Sequence, residues 1–134
     1  IPFDYLCIGI AEPANTLALF RQAQELGVRF WLDDEVRDAT LPDIAGAIDA
    51  FAARVDALLL SLDLDVLPAA VMPAVSAPAA RGVALAHVEA LIEVVRATGK
   101  LALADVVELN PCHDPDGRGA RTAARLVWRL AKQP

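Results

Sequence analysis

The sequence has few cysteines, fewer basic than acidic side chains, and no long apolar run. Its 134 residues include only two cysteines, Cys7 and Cys112, which are too few for a disulfide scaffold. We interpret both as reduced thiols, as expected of a cytoplasmic protein. Twelve lysines and arginines against 18 aspartates and glutamates give a net charge of −6. This balance argues against nucleic acid as a partner, because phosphates require basic patches, and against an anionic membrane surface.

The sequence also shows no pattern typical of a membrane-spanning helix or of a signal peptide. No apolar run approaches the roughly 20 residues that a spanning helix needs, because aspartate or arginine interrupts each one. Residues 1–10 have no basic region and no small-residue cleavage site, so they do not predict a signal peptide. They resemble a β-strand that began before the first residue. We therefore expect the chain to have been cut from something longer.

Hydrophobic side chains are abundant, at 56% of the residues, whereas about 45–50% is usual. One interpretation is that the strands are short and buried on both faces. Another is that part of the apolar surface normally faces a piece of protein that is absent from this chain. Composition alone does not distinguish these two interpretations.

Apolar segments alternate with helical patterns along the whole chain. We predict strands at 5–10, 28–32, 56–62 and 101–109, and helices at 15–26, 41–53, 85–98 and 120–131, with a short helix opening at Asp33. This alternation predicts one α/β domain over residues 1–134, with a parallel sheet and helices on both faces. The connection 63–83 contains Pro68, Pro73 and Pro78, so regular helix is not expected there.

Carboxylates follow the third predicted strand, where open parallel sheets place their chemistry. Asp63 and Asp65 are two residues apart, a spacing that puts both side chains on one face of an extended strand. Two unpaired buried carboxylates are costly, and a hard divalent cation is their simplest partner. The alternative is that Asp65 is exposed and Asp63 caps a turn. Asp-x-Asp also occurs in phosphatases and glycosyltransferases.

Glu108 lies near the end of the fourth predicted strand, within Asp105-Val-Val-Glu-Leu-Asn-Pro111. Taken alone, a glutamate before Asn-Pro is most simply a ligand for backbone amides in the turn. His87 falls in a helix and His113 in a loop, and neither has a partner at ligand spacing. We interpret both histidines as surface or packing residues.

Three segments together carry a family resemblance. Residues 61–82 resemble the Ser-x-Asp-x-Asp signature and the Pro-rich loop of the ureohydrolases, a family that includes arginases, agmatinases and formimidoylglutamases. Residues 105–111 resemble that family's Asp-x-x-Glu-x-Asn-Pro segment, and residues 6–16 resemble formimidoylglutamases in particular. The resemblance implies the C-terminal half of an arginase-like fold, which is a three-layer α/β/α domain around a parallel sheet. Members often assemble into homo-oligomers.

The resemblance also implies an activity and the residues that carry it. Family members hydrolyse guanidino or formimidoyl groups with two Mn²⁺ ions. Asp63 would bridge both ions, Asp65 would bind one, and Glu108 would hold the cationic end of a small amidine substrate. The expected reaction converts N-formimidoyl-L-glutamate to L-glutamate and formamide, a step of histidine degradation. Arg81 and Ser76 are further substrate-binding candidates, although a loop-ordering ion pair is the simpler interpretation of Arg81.

Two departures from the family limit these expectations. The metal motifs Gly-Gly-Asp-His and Asp-Ala-His-x-Asp match nothing in the chain. We therefore expect an incomplete manganese site and an inactive isolated chain. The alternatives are a catalytically inactive fragment that folds as an oligomerising α/β domain, and a phosphotransfer enzyme with Asp63 as nucleophile and Lys100 as its partner.

Overall fold

The computed structural model describes residues 3–132. Ile1 and Pro2, which begin the strand-like stretch 1–10, therefore lie outside the described residues. Strands and helices alternate along the chain as the sequence predicts. The strands are β1 (Leu6–Ile10), β2 (Arg29–Leu32), β3 (Leu58–Asp63) and β4 (Leu101–Val107). The helices are α1 (Leu17–Glu25), α2 (Asp33–Asp38), α3 (Leu41–Ala52), α4 (Leu85–Ala97) and α5 (Arg118–Ala131). No helix within the described residues is long and apolar enough to cross a membrane.

The four strands form two parallel pairs. β1 pairs with β2, and β3 pairs with β4, but no ladder of hydrogen bonds joins β1 to β3. The single continuous sheet expected from the alternation is therefore not formed by residues 3–132. The order of strands along a chain predicts parallel pairing, but it does not specify which strands become neighbours in space.

Local chemistry explains several helix boundaries. The Thr16 hydroxyl accepts a hydrogen bond from the Leu19 N–H at 3.3 Å, which caps the start of α1. At the start of α3, the Asp43 carboxylate accepts from the Thr40 N–H at 3.0 Å, as in a capping box. The Lys100 ammonium group donates to the carbonyls of Ala52, the last residue of α3, and of Val55, at 2.7 Å each, and ties that end to β4.

The connection between β3 and α4 lies in the centre of the core. It contains one 3-10 turn, Leu64–Val66, and no α-helix, so the prediction of an irregular segment is confirmed. Several of its apolar side chains are nevertheless fully buried, together with one residue of α5. These core residues are Leu64, Leu67, Met72, Val75 and Leu126. The connection is thus a packed element, and its burial fixes the direction that the chain takes after β3.

Three of the four arginines of α5, namely Arg118, Arg125 and Arg129, form ion pairs within the chain. Arg125 donates to both oxygens of Glu89 on α4, and Arg129 donates to Glu89 at 3.1 Å. Glu89 is buried, and the two guanidinium groups hold its pKa below the ordinary value, Arg125 contributing most. These contacts fasten α5 to α4 on one side of the β3–β4 pair.

One face of the β3–β4 pair is bare. Leu58 and Leu62 are buried, whereas Leu59 on the opposite face is 63% exposed. Leu103, which pairs with Leu59 across the two strands, is 57% exposed. The interpretation that the strands are buried on both faces is therefore wrong for β3. The exposed leucines favour the other interpretation, in which apolar surface is left for a further piece of protein.

Candidate functional site

Asp63 and Asp65 lie at the carboxyl end of β3, but the backbone differs from the extended strand predicted from their spacing. Asp63 is the last residue of β3, and Asp65 is the central residue of the 3-10 turn Leu64–Val66. The prediction that strand pleating aligns the two side chains is wrong, because the chain turns after Asp63. The turn is anchored by the fully buried Leu64 and still brings the two carboxylates together.

The pKa of Asp65 reports how close these acids are. It is raised from the ordinary value of 3.8 to about 6, chiefly by burial and further by the charge of the Asp63 carboxylate and a hydrogen bond with it. The charge of Glu108 contributes as well. Asp63, Asp65 and Glu108 therefore lie near one another at the carboxyl ends of β3 and β4. Their repulsion is the kind that a bound cation relieves.

Glu108 has an unusual backbone conformation for a residue with a side chain. It follows β4 directly and has φ of 70°, in the left-handed region that favours glycine. The β3–α4 connection holds this turn in place, because the Asn110 N–H donates to the carbonyl of Ala74 in that connection at 2.8 Å. Backbone strain of this kind is often found at functional sites.

Ser76 lies next to Glu108, so two of the predicted substrate-binding residues are neighbours. The Ser76 hydroxyl donates to Glu108 Oε2 at 3.4 Å. Within residues 3–132 this is the hydrogen bond that the carboxylate accepts, and no backbone amide of the turn donates to it. The turn-amide interpretation of Glu108 is therefore not supported, and the side chain remains available to a ligand.

Tyr5 and Cys7 also lie near Asp63, which the sequence did not suggest. The pKa of Tyr5 is raised chiefly by the neighbouring Cys7, and that of Cys7 chiefly by burial, while the Asp63 charge raises both. Cys7 is half-buried. No local pattern signals this proximity, because it depends on how β1 packs against the connection that follows β3.

Arg81 makes a different contact from the other candidates. It forms an ion pair with Asp34 on α2, and both side chains are more than half exposed. Together with Gly82 and His87 it lines a cleft of about 230 Å³. This ion pair is the loop-ordering contact that the sequence offered as an alternative. A role for Arg81 in substrate binding stays a prediction.

The donor set fits part of a divalent metal site. Asp63 and Asp65 supply two carboxylates at one point, the ligand type that Mn²⁺ and Mg²⁺ prefer. Within the described part of the chain, no group of three His, Cys, Asp or Glu side chains is placed to hold a metal ion. His113 lies in the 3-10 turn Pro111–His113 and does not complete the pair. A full coordination sphere would need donors from outside residues 3–132.

The arrangement of strands and helices is that of an arginase-like α/β domain. The formimidoylglutamase from Bacillus subtilis matches with a TM-score of 0.88 at 22% identity, covering 93% of this chain and 40% of that one. The arginase from Bacillus caldovelox matches with a TM-score of 0.86 at 24% identity, covering 96% and 43%. The arginase-like fold expected from the motifs is confirmed.

The chain belongs to the arginase family, whose model matches residues 1–132. It is 60% identical over 131 residues to a formimidoylglutamase of Aeromonas hydrophila, covering 98% of this chain and 42% of the relative. It is 54% identical over 130 residues to a formimidoylglutamase of Chromobacterium violaceum, covering 97% and 42%. The chain thus spans less than half the length of these relatives and corresponds to their C-terminal half.

Proposed function

We propose that this chain supplies part of the active site for hydrolysis of a formimidoyl or guanidino C–N bond. The proposed substrate is N-formimidoyl-L-glutamate, and the products are L-glutamate and formamide. One observation carries the proposal: Asp63, Asp65 and Glu108 converge at the ends of two neighbouring parallel strands. The similarity to formimidoylglutamases supports the choice of substrate. Histidine degradation and a cytoplasmic location are consistent with that choice and are proposed with it.

Each acid has a distinct role in the proposal. Asp63 and Asp65 would hold manganese, since their oxygens are hard ligands and their mutual repulsion favours a cation between them. A bound manganese pair supplies a water molecule whose pKa is lowered toward neutrality. Glu108, oriented by Ser76, would accept charge-assisted hydrogen bonds from the amidinium end of the substrate.

The site of this chain is proposed to be incomplete on its own. The two aspartates would leave a metal ion mostly hydrated, and such an ion binds loosely. The remaining ligands would come from the part of the protein that the relatives carry beyond the matched region. The isolated chain is therefore expected not to hydrolyse the substrate, and the complete protein is expected to form homo-oligomers.

The test measures formamide release from N-formimidoyl-L-glutamate in the presence of Mn²⁺. The chain is assayed alone and together with the unmatched N-terminal part of the Aeromonas hydrophila relative. We expect activity only in the combined sample, and we expect Asp63→Asn to lower it by at least about 100-fold. Asp116→Asn, at an exposed carboxylate preceding α5, is the matched control and should leave activity unchanged. Full activity of Asp63→Asn would contradict the proposed role.

A second candidate function is a non-catalytic domain that associates through its apolar surface. The exposed Leu59 and Leu103 favour it, since contiguous apolar surface usually meets a partner. Sedimentation of the chain alone distinguishes the two. Stable self-association with no activity in the combined sample would support the non-catalytic domain, whereas a monomer that becomes active on combination would exclude it.

A further inference from the structure

A cleft of about 230 Å³ lies between α2 and the β3–α4 connection. Asp33 and Arg37 belong to α2, Pro68 and Arg81 to the connection, and His87 to the start of α4. We call this space the Asp33 cleft. It is smaller than the roughly 300–1,000 Å³ of pockets that hold drug-sized molecules, so a ligand in it would have few atoms.

The Asp33 side chain is a buried acid without a counter-ion. Asp33 is 8% exposed, and one of its oxygens accepts the Asp34 N–H at 3.0 Å. Within residues 3–132 it makes no ion pair and accepts no other hydrogen bond. Glu89, which is equally buried, is held by the guanidinium groups of Arg125 and Arg129. Because a buried carboxylate without a cationic partner is costly, a cation bound at Asp33 would be stabilised there.

The two arginines of the cleft do not supply that cation. Arg37 pairs with Asp34 at 3.0 Å and with Asp38 at 2.6 Å, and Arg81 pairs with Asp34. The pKa of Arg37 is raised chiefly by its hydrogen bond to Asp38, and Asp33 contributes least to the rise. Two guanidinium groups are therefore balanced by two other carboxylates. The charge of Asp33 is left over, and it favours a ligand with one positive charge.

Backbone contacts hold the side of the cleft opposite α2 in place. The Val83 N–H donates to the Val66 carbonyl at 2.7 Å. A Cβ added to Gly82 would lie 2.6–2.7 Å from the backbone of residues 66–68, so the two segments are in close contact. Val83 and Ala84 give the lining an apolar part. This side is already formed and can accept the hydrocarbon part of a ligand with little ordering.

We propose that the Asp33 cleft binds a small organic monocation, an alkylammonium or amidinium ion, whose N–H groups donate to the Asp33 carboxylate. The hydrocarbon part of the ion would lie against the apolar lining beside Gly82. Asp63, Asp65 and Glu108 do not line this cleft, so it is a second site and does not extend the carboxylate cluster.

An NMR titration of the isotope-labelled chain tests the proposal. The chain is titrated with propylammonium chloride and, separately, with acetamidinium chloride, in metal-free buffer at constant ionic strength. The amide signals of Asp34, Gly82 and Val83 should shift in a saturable manner. Propanol and sodium propionate, which lack the positive charge, should not cause these shifts. The cation that binds more tightly identifies the group recognised. Saturation by neither cation, or shifts confined to residues around Asp63, would overturn the proposal.

Substitutions in the cleft separate its charge from its shape. Asp33→Asn keeps the size of the side chain and should weaken cation binding at least about tenfold, because a charge-assisted hydrogen bond to a buried carboxylate is lost. Ala84 is exposed and lines the cleft, so Ala84→Leu should also weaken binding while Asp33 stays in place. Asp116→Asn, which removes an exposed negative charge outside the cleft, should bind as the parent does. Urea unfolding establishes that each variant is folded.

The affinities of these variants decide the proposal. Equal affinity of Asp33→Asn and the parent would overturn it, as would an equal loss of affinity in Asp33→Asn and Asp116→Asn, which would indicate an effect of net charge alone. If Asp33→Asn did not fold, unchanged binding by Ala84→Leu would overturn it instead. The titration needs neither manganese nor substrate, so its result does not depend on the proposed hydrolysis.

Discussion

Asp65 offers a sharp test of the electrostatics at the carboxylate cluster. In the folded chain its pKa is about 6, against an ordinary value of 3.8. The folded state therefore binds more protons than the unfolded state between these values, and stability falls as the pH rises through this window. The difference between these two pKa values corresponds to at most about 3 kcal/mol. Because water screens this half-exposed site, we expect about 1 kcal/mol.

Asp65→Asn removes the charge and keeps the size of the side chain. In metal-free buffer at pH 8 the variant should be more stable than the parent by about 1 kcal/mol, a rise in Tm of about 3–5 °C for a chain of this size. Near pH 4 the gain should disappear, because the folded parent is then protonated at Asp65. Urea unfolding at pH 4, 6 and 8 measures the difference in the free energy of unfolding.

Asp116→Asn is the matched control, because its pKa is shifted in the opposite direction. The Asp116 carboxylate accepts from the Arg118 N–H and forms an ion pair with the Arg118 side chain, and these contacts lower its pKa. Its substitution should give no gain in stability at pH 8. If Asp65→Asn gave no gain at pH 8, or the same gain at pH 4, burial and repulsion at Asp65 would not be the source of the shift.

Three further predictions concern the metal and the backbone. Addition of Mn²⁺ should raise the Tm of the parent chain, EDTA should reverse the rise, and Asp63→Asn should abolish it, as measured by thermal scanning. Gly82→Ala should destabilise the chain by about 2 kcal/mol or more in urea, because Gly82 has φ of 62° and an added Cβ would lie 2.6–2.7 Å from the backbone of residues 66–68. Lys100→Met should lower the free energy of unfolding by about 1–3 kcal/mol, because it removes the ammonium group that donates to two carbonyls at the end of α3.

The predicted site residues differ in how well a single sequence could place them. Asp63 and Glu108 lie at the carboxyl ends of strands that the apolar pattern identifies, and parallel pairing brings the ends of such strands to one edge. Arg81 lies in the irregular connection between β3 and α4, where no periodicity specifies direction. Its contact with Asp34 depends on the packing of that connection against α2.

The sequence by itself determined the order of strands and helices and the family, because these depend on residues close together in the chain. Only the tertiary structure decided that a 3-10 turn rather than strand pleating joins Asp63 to Asp65, that Tyr5 and Cys7 lie beside them, and that the strands form two separate pairs. These features arise from contacts between distant segments, whose free energy depends on which surfaces meet in space rather than on any local pattern.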